Sequence, residues 1–162
     1  MSVELIARTV KESPLFTRLA SDDLQPLLEA CQVRRVSAGT TLFVMGEPAH
    51  TLYIVAEGRV SLTLPLAIRG RSADVTIDEK QVGATIAWSA LVPPHKLTLS
   101  AKAATDATLV CVERQTIEQI FAAHPQLRAA VMTNLCEVIG SRVSLLEALL
   151  MRDLQRWAAN QS

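Results

Sequence analysis

The segment from Ala38 to Leu64, AGTTLFVMGEPAHTLYIVAEGRVSLTL, limits the fold of this chain more than any other. It holds three short apolar runs, rich in β-branched and aromatic residues, and two turn signals separate them at 46–48 and 57–59. Runs of this length with glycine or proline between them are typical of β-strands that reverse direction. Gly46 and Gly58 stand where such reversals often need a positive φ angle. The segment therefore predicts an antiparallel β core.

The third run of this segment has the period of a strand with one buried face. Val60, Leu62 and Leu64 alternate with the polar residues Ser61 and Thr63. Successive side chains of a β-strand point to opposite faces of its sheet. We therefore expect the three aliphatic side chains to face the core.

More short strands follow, and helices stand at both ends of the chain. Apolar alternation predicts strands at 33–36, 74–78, 97–101 and 107–112, and a strand end and turn at 65–72. The N-cap signal Ser21-Asp22-Asp23 predicts a helix at 24–30, and apolar spacing predicts shorter helices at 3–10 and 116–123. About eight short strands at close spacing indicate a mainly β protein with helices, built as an antiparallel β jelly roll or barrel behind N-terminal helices.

The chain changes character after residue 124. From Pro125 to Ala159 there is no further proline and one glycine, Gly140, which predicts a single C-terminal helix of roughly 30 residues. We assign residues 1–124 to the β-roll domain with its N-terminal helices and residues 125–162 to this long helix. A small barrel cannot cover the whole apolar stripe of the helix, so we expect a homodimer through the same helix of a second subunit. The expected dimerisation residues are Leu135, Ile139, Val143, Leu146 and Leu150.

Composition argues against several classes of protein. Sixteen basic and sixteen acidic residues cancel, which leaves no net charge to attract nucleic acid. The N-terminus lacks the apolar core of a signal peptide, and no window approaches the roughly 18 uninterrupted apolar residues of a membrane span. Cys31, Cys111 and Cys136 are widely spaced, which favours core packing over a disulfide framework or a zinc site. We therefore expect a cytoplasmic protein with reduced thiols and no membrane span.

The order of these elements resembles the layout of the cyclic-nucleotide-binding domain family. The segment 38–64 is similar to the first hairpins of that family, including both turn glycines. The run SPLFTRLASDDLQPLL resembles its N-terminal helical entry, and AHPQLRAAVMTNLCEVIGSRV resembles the start of its dimer helix. The resemblance covers residues 13–150 and implies a non-enzymatic regulatory or sensor module.

The run VGATIAWSALVPP at 82–94 stands where the family has its phosphate-binding cassette. The cassette resembles G-x-x-x-G-E-x-A-L followed by R-[ST]-A, in which the Glu accepts from the ribose hydroxyl while the Arg and backbone N–H groups at a short helix hold the cyclic phosphate. In this chain Ala87 replaces the second glycine, Trp88 the Glu and Leu97 the Arg. We therefore expect weak or absent cyclic-nucleotide binding and no other cofactor. The candidate ligand-binding residues are Gly83, Ala87, Trp88, Ser89, Ala90, Leu91, Lys96, Leu97 and Thr98.

Two other functions stay open. One is a genuine cyclic AMP or cyclic GMP receptor with an altered cassette, in which Trp88 stacks on the base and Lys96 replaces the phosphate-binding Arg. The other is a ligand-free adaptor whose barrel only presents the helix for assembly with a partner protein. A pocket filled by Trp88 and Leu97 favours the adaptor, and an open polar pocket near Ser89 and Thr98 favours the receptor.

Enzymatic and DNA-binding functions are not expected. No nucleophile, base and orienting group can be assembled from the spacing of the residues, and the three histidines, His50, His95 and His124, are scattered too widely for a metal site. Transcription regulators of the family carry a helix-turn-helix domain after the long helix. This chain ends at Ser162, within or just after that helix, so we expect no direct DNA binding.

Overall fold

The computed structural model describes residues 2–160, apart from the side chain of Ile68. Four α-helices and eight β-strands follow one another along the chain, with a short 3₁₀ helix at Trp88–Leu91. The helices are α1 (Ser2–Glu12), α2 (Ser21–Ala30), α3 (Arg114–Ala123) and α4 (Pro125–Ala159). The strands are β1 (Gln32–Val36), β2 (Thr41–Phe43), β3 (Thr51–Glu57), β4 (Val60–Ile68), β5 (Arg71–Lys80), β6 (Thr85–Ile86), β7 (Ser100–Ala103) and β8 (Ala107–Glu113).

The strands form two four-stranded antiparallel sheets. One has the order β1-β8-β3-β6 and the other the order β2-β7-β4-β5. Consecutive strands lie in different sheets except for β4 and β5, which pair with each other. The apolar faces of the two sheets meet in one core, where Val55, Val60 and Leu109 are fully buried. The prediction of an antiparallel jelly roll with N-terminal helices and a long C-terminal helix is confirmed.

The segment from Ala38 to Leu64 turns where its glycines predict, but the alternation in its third strand differs from the expected one. Gly46 and Gly58 have φ angles of 90° and 80°, in the left-handed region that favours glycine. The alternation in β4 fails after Leu62, because the register with β5 shifts between Leu62 and Thr63. A bulge of this kind moves the following side chains to the other face. Thr63 is therefore buried, and the expectation that Leu64 faces the core is wrong.

Two strand boundaries also differ from the expected ones. The turn expected at 65–72 is shorter than that range: β4 continues through Pro65, which lies opposite Asp74, and the chain reverses at Arg69 and Gly70. The expected strand at 97–101 begins only at Ser100. Residues 96–98 instead run along the turn after β2, where Leu97 N–H donates to the Glu47 carbonyl.

The first third of α4 packs on the body of the chain, and the rest extends away from it. Leu127, Val131 and Leu135 are buried in the core. Asn134, also buried, donates from Nδ2 to the Leu15 carbonyl at 2.9 Å and to the Thr17 carbonyl at 3.0 Å. These two hydrogen bonds fasten α4 to the segment between α1 and α2.

Replacing Asn134 by alanine is expected to lower the free energy of unfolding by about 2 kcal/mol, because the two acceptor carbonyls lose their donor in a site with little water. Urea denaturation of the variant and the wild-type chain measures the difference. Thr133→Ala is the matched control, since Thr133 is exposed and bonds only to the Ala129 carbonyl of its own helix. An equal effect of the two substitutions would contradict this account of the contact.

Among residues 2–160, α4 alone is long and apolar enough to cross a membrane by length and composition, with a mean hydropathy of 1.2 over an 18-residue window. A helix with an exposed apolar stripe for a partner helix passes the same test. The absence of a membrane span and the cytoplasmic location therefore stay predictions.

The three cysteines differ in their surroundings. Cys31 is buried and Cys111 half-buried, whereas Cys136 is exposed on α4, so the expectation of core packing is wrong for Cys136. Burial raises the pKa of Cys31 to about 12 and that of Cys111 to about 11, from an ordinary value of 9.0.

The free energy of unfolding is expected to fall as the pH rises above 9. The unfolded chain then ionises Cys31 and Cys111, while the folded chain keeps both thiols neutral until pH 11 or 12, so ionisation favours the unfolded state over this window. Urea denaturation between pH 7.5 and 10.5 measures the slope. A Cys31→Ala variant is expected to show a shallower slope, and an identical slope would contradict the assignment to this thiol.

Candidate functional site

A cavity of about 400 Å³ lies between the jelly roll and α4, and we call it the cassette cavity. Residues of the 3₁₀ helix, the segment 97–99, β4, β5 and α4 line it. Its lining is largely apolar. The apolar residues are Pro14, Phe43, Leu62, Ile86, Ala87, Trp88, Leu97, Leu99, Val138 and Leu145, and the charged ones are Asp78, Lys80, Glu137 and Arg142.

The backbone of the cassette keeps a conformation that suits glycine. Ala87 has a φ angle of 61° and stands at the N-terminus of the 3₁₀ helix. This is the position of the second glycine in the pattern that the segment resembles, so the left-handed turn is retained with an alanine in it. The hydroxyls of Ser13 and Thr85 meet at 2.6 Å and hold this part of the chain on the segment after α1.

The structure brings five of the nine candidate ligand-binding residues to the cavity. Those that line it are Ala87, Trp88, Ser89, Leu97 and Thr98. Gly83, Ala90 and Leu91 are buried beside it without lining it, and Lys96 is exposed outside it. Lys96 is therefore not placed to supply a positive charge to the cavity.

Arg142 is a cavity residue that the sequence analysis missed. It lies on α4, and its Cζ stands 6.0 Å from the centroid of the Trp88 ring. A guanidinium over an indole face at this distance is a favourable cation–π contact. The contact joins the cassette directly to the C-terminal helix.

Charges at the cavity are paired except for that of Arg142. Lys80 Nζ lies 2.6 Å from Asp78 Oδ2, and Glu137 Oε2 lies 2.7 Å from the Arg18 guanidinium. Within residues 2–160, no carboxylate lies within ion-pair distance of Arg142. Desolvation lowers the pKa of Arg142, and the charge of Asp78 opposes that change. Arg142 is therefore a partly desolvated cation whose charge no ion pair compensates.

A sequence signal for Arg142 does exist. The apolar row of α4 formed by Val131, Leu135, Val138 and Leu145 has a gap of one helical turn, and Arg142 fills that gap. Residues three and four apart on a helix share a face. A charged residue inside a core-facing row therefore marks the place where the helix covers a polar space.

The expected dimerisation residues differ in burial. Leu135 is only 1% exposed and lies in the core of its own chain, so its assignment to a dimer interface is wrong. Ile139 is half-buried. Val143, Leu146 and Leu150 are 47%, 44% and 59% exposed, which leaves this stripe free to meet another surface.

The chain is thus a jelly roll with a cavity that a short helix and a long C-terminal helix both line. The sequence profile of the cyclic nucleotide-binding domain matches residues 33–124, more than half of the chain. The chain therefore belongs to the cyclic nucleotide-binding domain family. Members of this family are regulatory modules and generally not enzymes.

Three known proteins show the range of the similarity. A cyclic nucleotide-binding domain from Methylobacillus flagellatus superimposes with a TM-score of 0.77 at 20% identity, over 93% of this chain and 83% of that one, which shows the common fold. Glutaminase 1 of Bradyrhizobium diazoefficiens is 27% identical over 85% of this chain but 21% of its own length. The transcriptional regulator Cmr of Mycobacterium tuberculosis is 26% identical over 85% of this chain and 53% of its own length. The chain thus spans between a fifth and about half of these two curated relatives.

Proposed function

We propose that this chain is a non-enzymatic regulatory module that binds cyclic nucleotides weakly or not at all and acts through α4 as a homodimer. The observation that carries the proposal is the chemistry of the cassette cavity. Trp88 and Leu97 stand at the positions that would contact the ribose and the phosphate, and both line the cavity. Neither side chain can accept from the ribose hydroxyl or bind the phosphate as an Arg does. A nucleotide in the cavity would therefore lack both contacts.

The loss of the phosphate contact alone has a large expected effect. A phosphate moved from water into a partly closed cavity without its bidentate arginine loses roughly 2 to 4 kcal/mol of binding free energy. This corresponds to a factor of roughly 30 to 1,000 in affinity. The missing acceptor for the ribose hydroxyl adds to the loss.

Arg142 supports a role for α4 as the output element. Its contact with Trp88 joins the cavity to the part of α4 that leaves the body of the chain. A ligand in the cavity, or a partner protein beside it, would favour one of two positions of α4 only if it bound the two states with different affinities. Because Trp88 and Arg142 line the cavity together, an occupant that separates them changes the energy of one position of the helix.

Fluorescence tests the ligand part of the proposal. Trp157→Phe leaves Trp88 as the only tryptophan of the chain. Its emission is expected to show no saturable change with cyclic AMP or cyclic GMP up to about 100 µM. A Kd above that concentration corresponds to a binding free energy weaker than about −5.5 kcal/mol. A saturable change at micromolar concentration would contradict the proposal.

The dimer part of the proposal rests on the outer half of α4. Val143, Leu146, Leu150, Leu154 and Trp157 recur at spacings of 3, 4, 4 and 3 and all are more than two-fifths exposed. This spacing gives a continuous seam along one face of a helix, as in a two-stranded coiled coil. The same face of a second copy offers a matching apolar surface, so we propose a symmetric helix pair.

The double substitution Leu146→Glu with Leu150→Glu is expected to convert the dimer to a monomer, because four carboxylates would meet in an apolar seam. Light scattering is expected to give twice the chain mass of 17.6 kDa for the wild type and the single mass for the variant. Ala148→Glu is the control, since Ala148 is exposed on the same helix but off the seam. A variant that stays dimeric would place the interface elsewhere.

A genuine cyclic-nucleotide receptor is the second candidate, and the open cavity favours it. The cavity holds about 400 Å³ with Ser89 and Thr98 in its wall, so Trp88 and Leu97 do not fill it. In such a receptor Trp88 would stack on the base, and Arg142 rather than Lys96 would supply the positive charge. The same open space argues against the ligand-free adaptor.

A further inference from the structure

The cassette cavity has a distribution of charge that restricts what it can hold. Of its four charged lining residues, Asp78 and Lys80 pair with each other and Glu137 pairs with Arg18. What remains is a single positive charge on Arg142, on the α4 side. A partly desolvated cation without an ion pair attracts an anion more strongly than a solvated surface cation does. The cavity therefore favours one negative charge, placed against α4.

The wall of the cavity that the 3₁₀ helix and the segment 97–99 contribute is largely apolar. Trp88 and Leu97 present aromatic and aliphatic surface where a nucleotide-binding cassette would present its Glu and Arg, and Ile86 lines the same cavity. Arg142 lies over the Trp88 ring, so a planar group that packs on the indole lies next to the guanidinium. Ser89 and Thr98 supply hydroxyls at the edge of this surface.

From these two observations we propose that the cavity binds a small organic monoanion with a flat, apolar body, its anionic group on Arg142 and its body on Trp88 and Leu97. The positive charge then comes from α4, whereas in the family's cassette it comes from the Arg that follows the short helix. The proposal rests on the proposed function, since it names the ligand class of a cavity that cyclic nucleotides occupy poorly. Arg142 is assigned as the residue that selects the charge of the ligand.

A matched pair of compounds tests the charge preference with the full chain. The probes are 2-naphthoate, an aromatic monoanion, and 2-naphthamide, its neutral analogue of the same shape. Quenching of Trp88 in the Trp157→Phe chain measures both affinities and reports binding at this cavity. Naphthoate is expected to bind about tenfold more tightly than naphthamide, because a charge-assisted contact to Arg142 forms only with the anion.

Arg142→Gln separates charge selection from shape. In this variant naphthoate is expected to bind less than about twofold more tightly than naphthamide. The affinity for naphthamide is expected to stay within about twofold of its value in the Trp157→Phe chain. Arg152→Gln is the control, since Arg152 is exposed on the same helix and does not line the cavity. Arg142→Lys keeps the charge and is expected to retain part of the preference.

Three results would overturn the inference: an undiminished preference in Arg142→Gln, an equal loss in Arg152→Gln, or no binding of either compound to a chain that melts cooperatively. The inference fails independently of the proposed function. Tight binding of cyclic AMP or cyclic GMP would contradict the proposed function even with the naphthoate preference intact. Loss of the naphthoate preference would leave weak nucleotide binding untouched.

Discussion

Replacing Gly58 by alanine is expected to lower the free energy of unfolding by about 3 kcal/mol, through backbone strain and a steric clash together. Gly58 has a φ angle of 80° in the turn between β3 and β4. An added Cβ would clash with the Asp106 carbonyl oxygen and would lie 2.9 Å from the Ala107 Cα. Both atoms belong to the backbone, so a side-chain rotation cannot relieve the clash. The turn between β3 and β4 must then move away from the turn between β7 and β8.

Gly70→Ala is the matched control for this substitution. Gly70 has a φ angle of 77°, but an added Cβ meets nothing within 4 Å. The control therefore carries the conformational strain without the clash, and a loss of about 1 kcal/mol is expected. Thermal melting or urea denaturation of the two variants measures the difference. Equal losses would mean that the approach of the two turns does not stabilise the fold.

The double substitution Trp88→Glu with Leu97→Arg is expected to raise the affinity for cyclic AMP by a factor of about 100 or more. It returns an acceptor for the ribose hydroxyl and a bidentate donor for the phosphate to positions that line the cavity. The wild-type chain has a left-handed backbone at Ala87, followed by the 3₁₀ helix. We expect the variant to keep both, so that the backbone N–H groups stay in place. Calorimetric titration of the variant and the wild type measures the gain.

Trp88→Ala with Leu97→Ala separates new polar contacts from added space. This control enlarges the cavity at the same positions without a charge, and its affinity for cyclic AMP is expected to rise by less than about tenfold. A similar gain in affinity in both variants would show that Trp88 and Leu97 weaken cyclic AMP binding by occupying its space. No gain in a well-folded Trp88→Glu, Leu97→Arg chain would contradict the assignment of these two positions.

The parts of the fold that follow from local chemistry could be predicted from the sequence. Gly46 and Gly58 mark two reversals because each reversal needs a backbone that few other residues adopt. Pro125 marks the start of α4 because its missing N–H is harmless in the first turn. These signals act within a few residues, so one chain is enough to recognise them.

The parts that depend on distant contacts could not be predicted in this way. The bulge after Leu62 arises from pairing with β5 and has no signal in the alternation of β4 itself. Leu135 and Leu146 look alike along the stripe of α4, yet only Leu135 lies where the body of the chain covers the helix. The contact between Trp88 and Arg142 joins residues more than fifty positions apart. Its sequence signal, a charge in an apolar row, indicates a polar neighbour without naming it.

Calorimetric titration of the wild-type chain with cyclic AMP and with cyclic GMP tests the central claim most directly, on a sample whose mass is measured by light scattering. The account predicts a particle of twice the 17.6 kDa chain mass with no saturable heat, which means a Kd weaker than about 100 µM for either nucleotide. A Kd in the micromolar range or tighter would contradict it, and would assign the cassette cavity to a nucleotide held by Trp88 and Arg142.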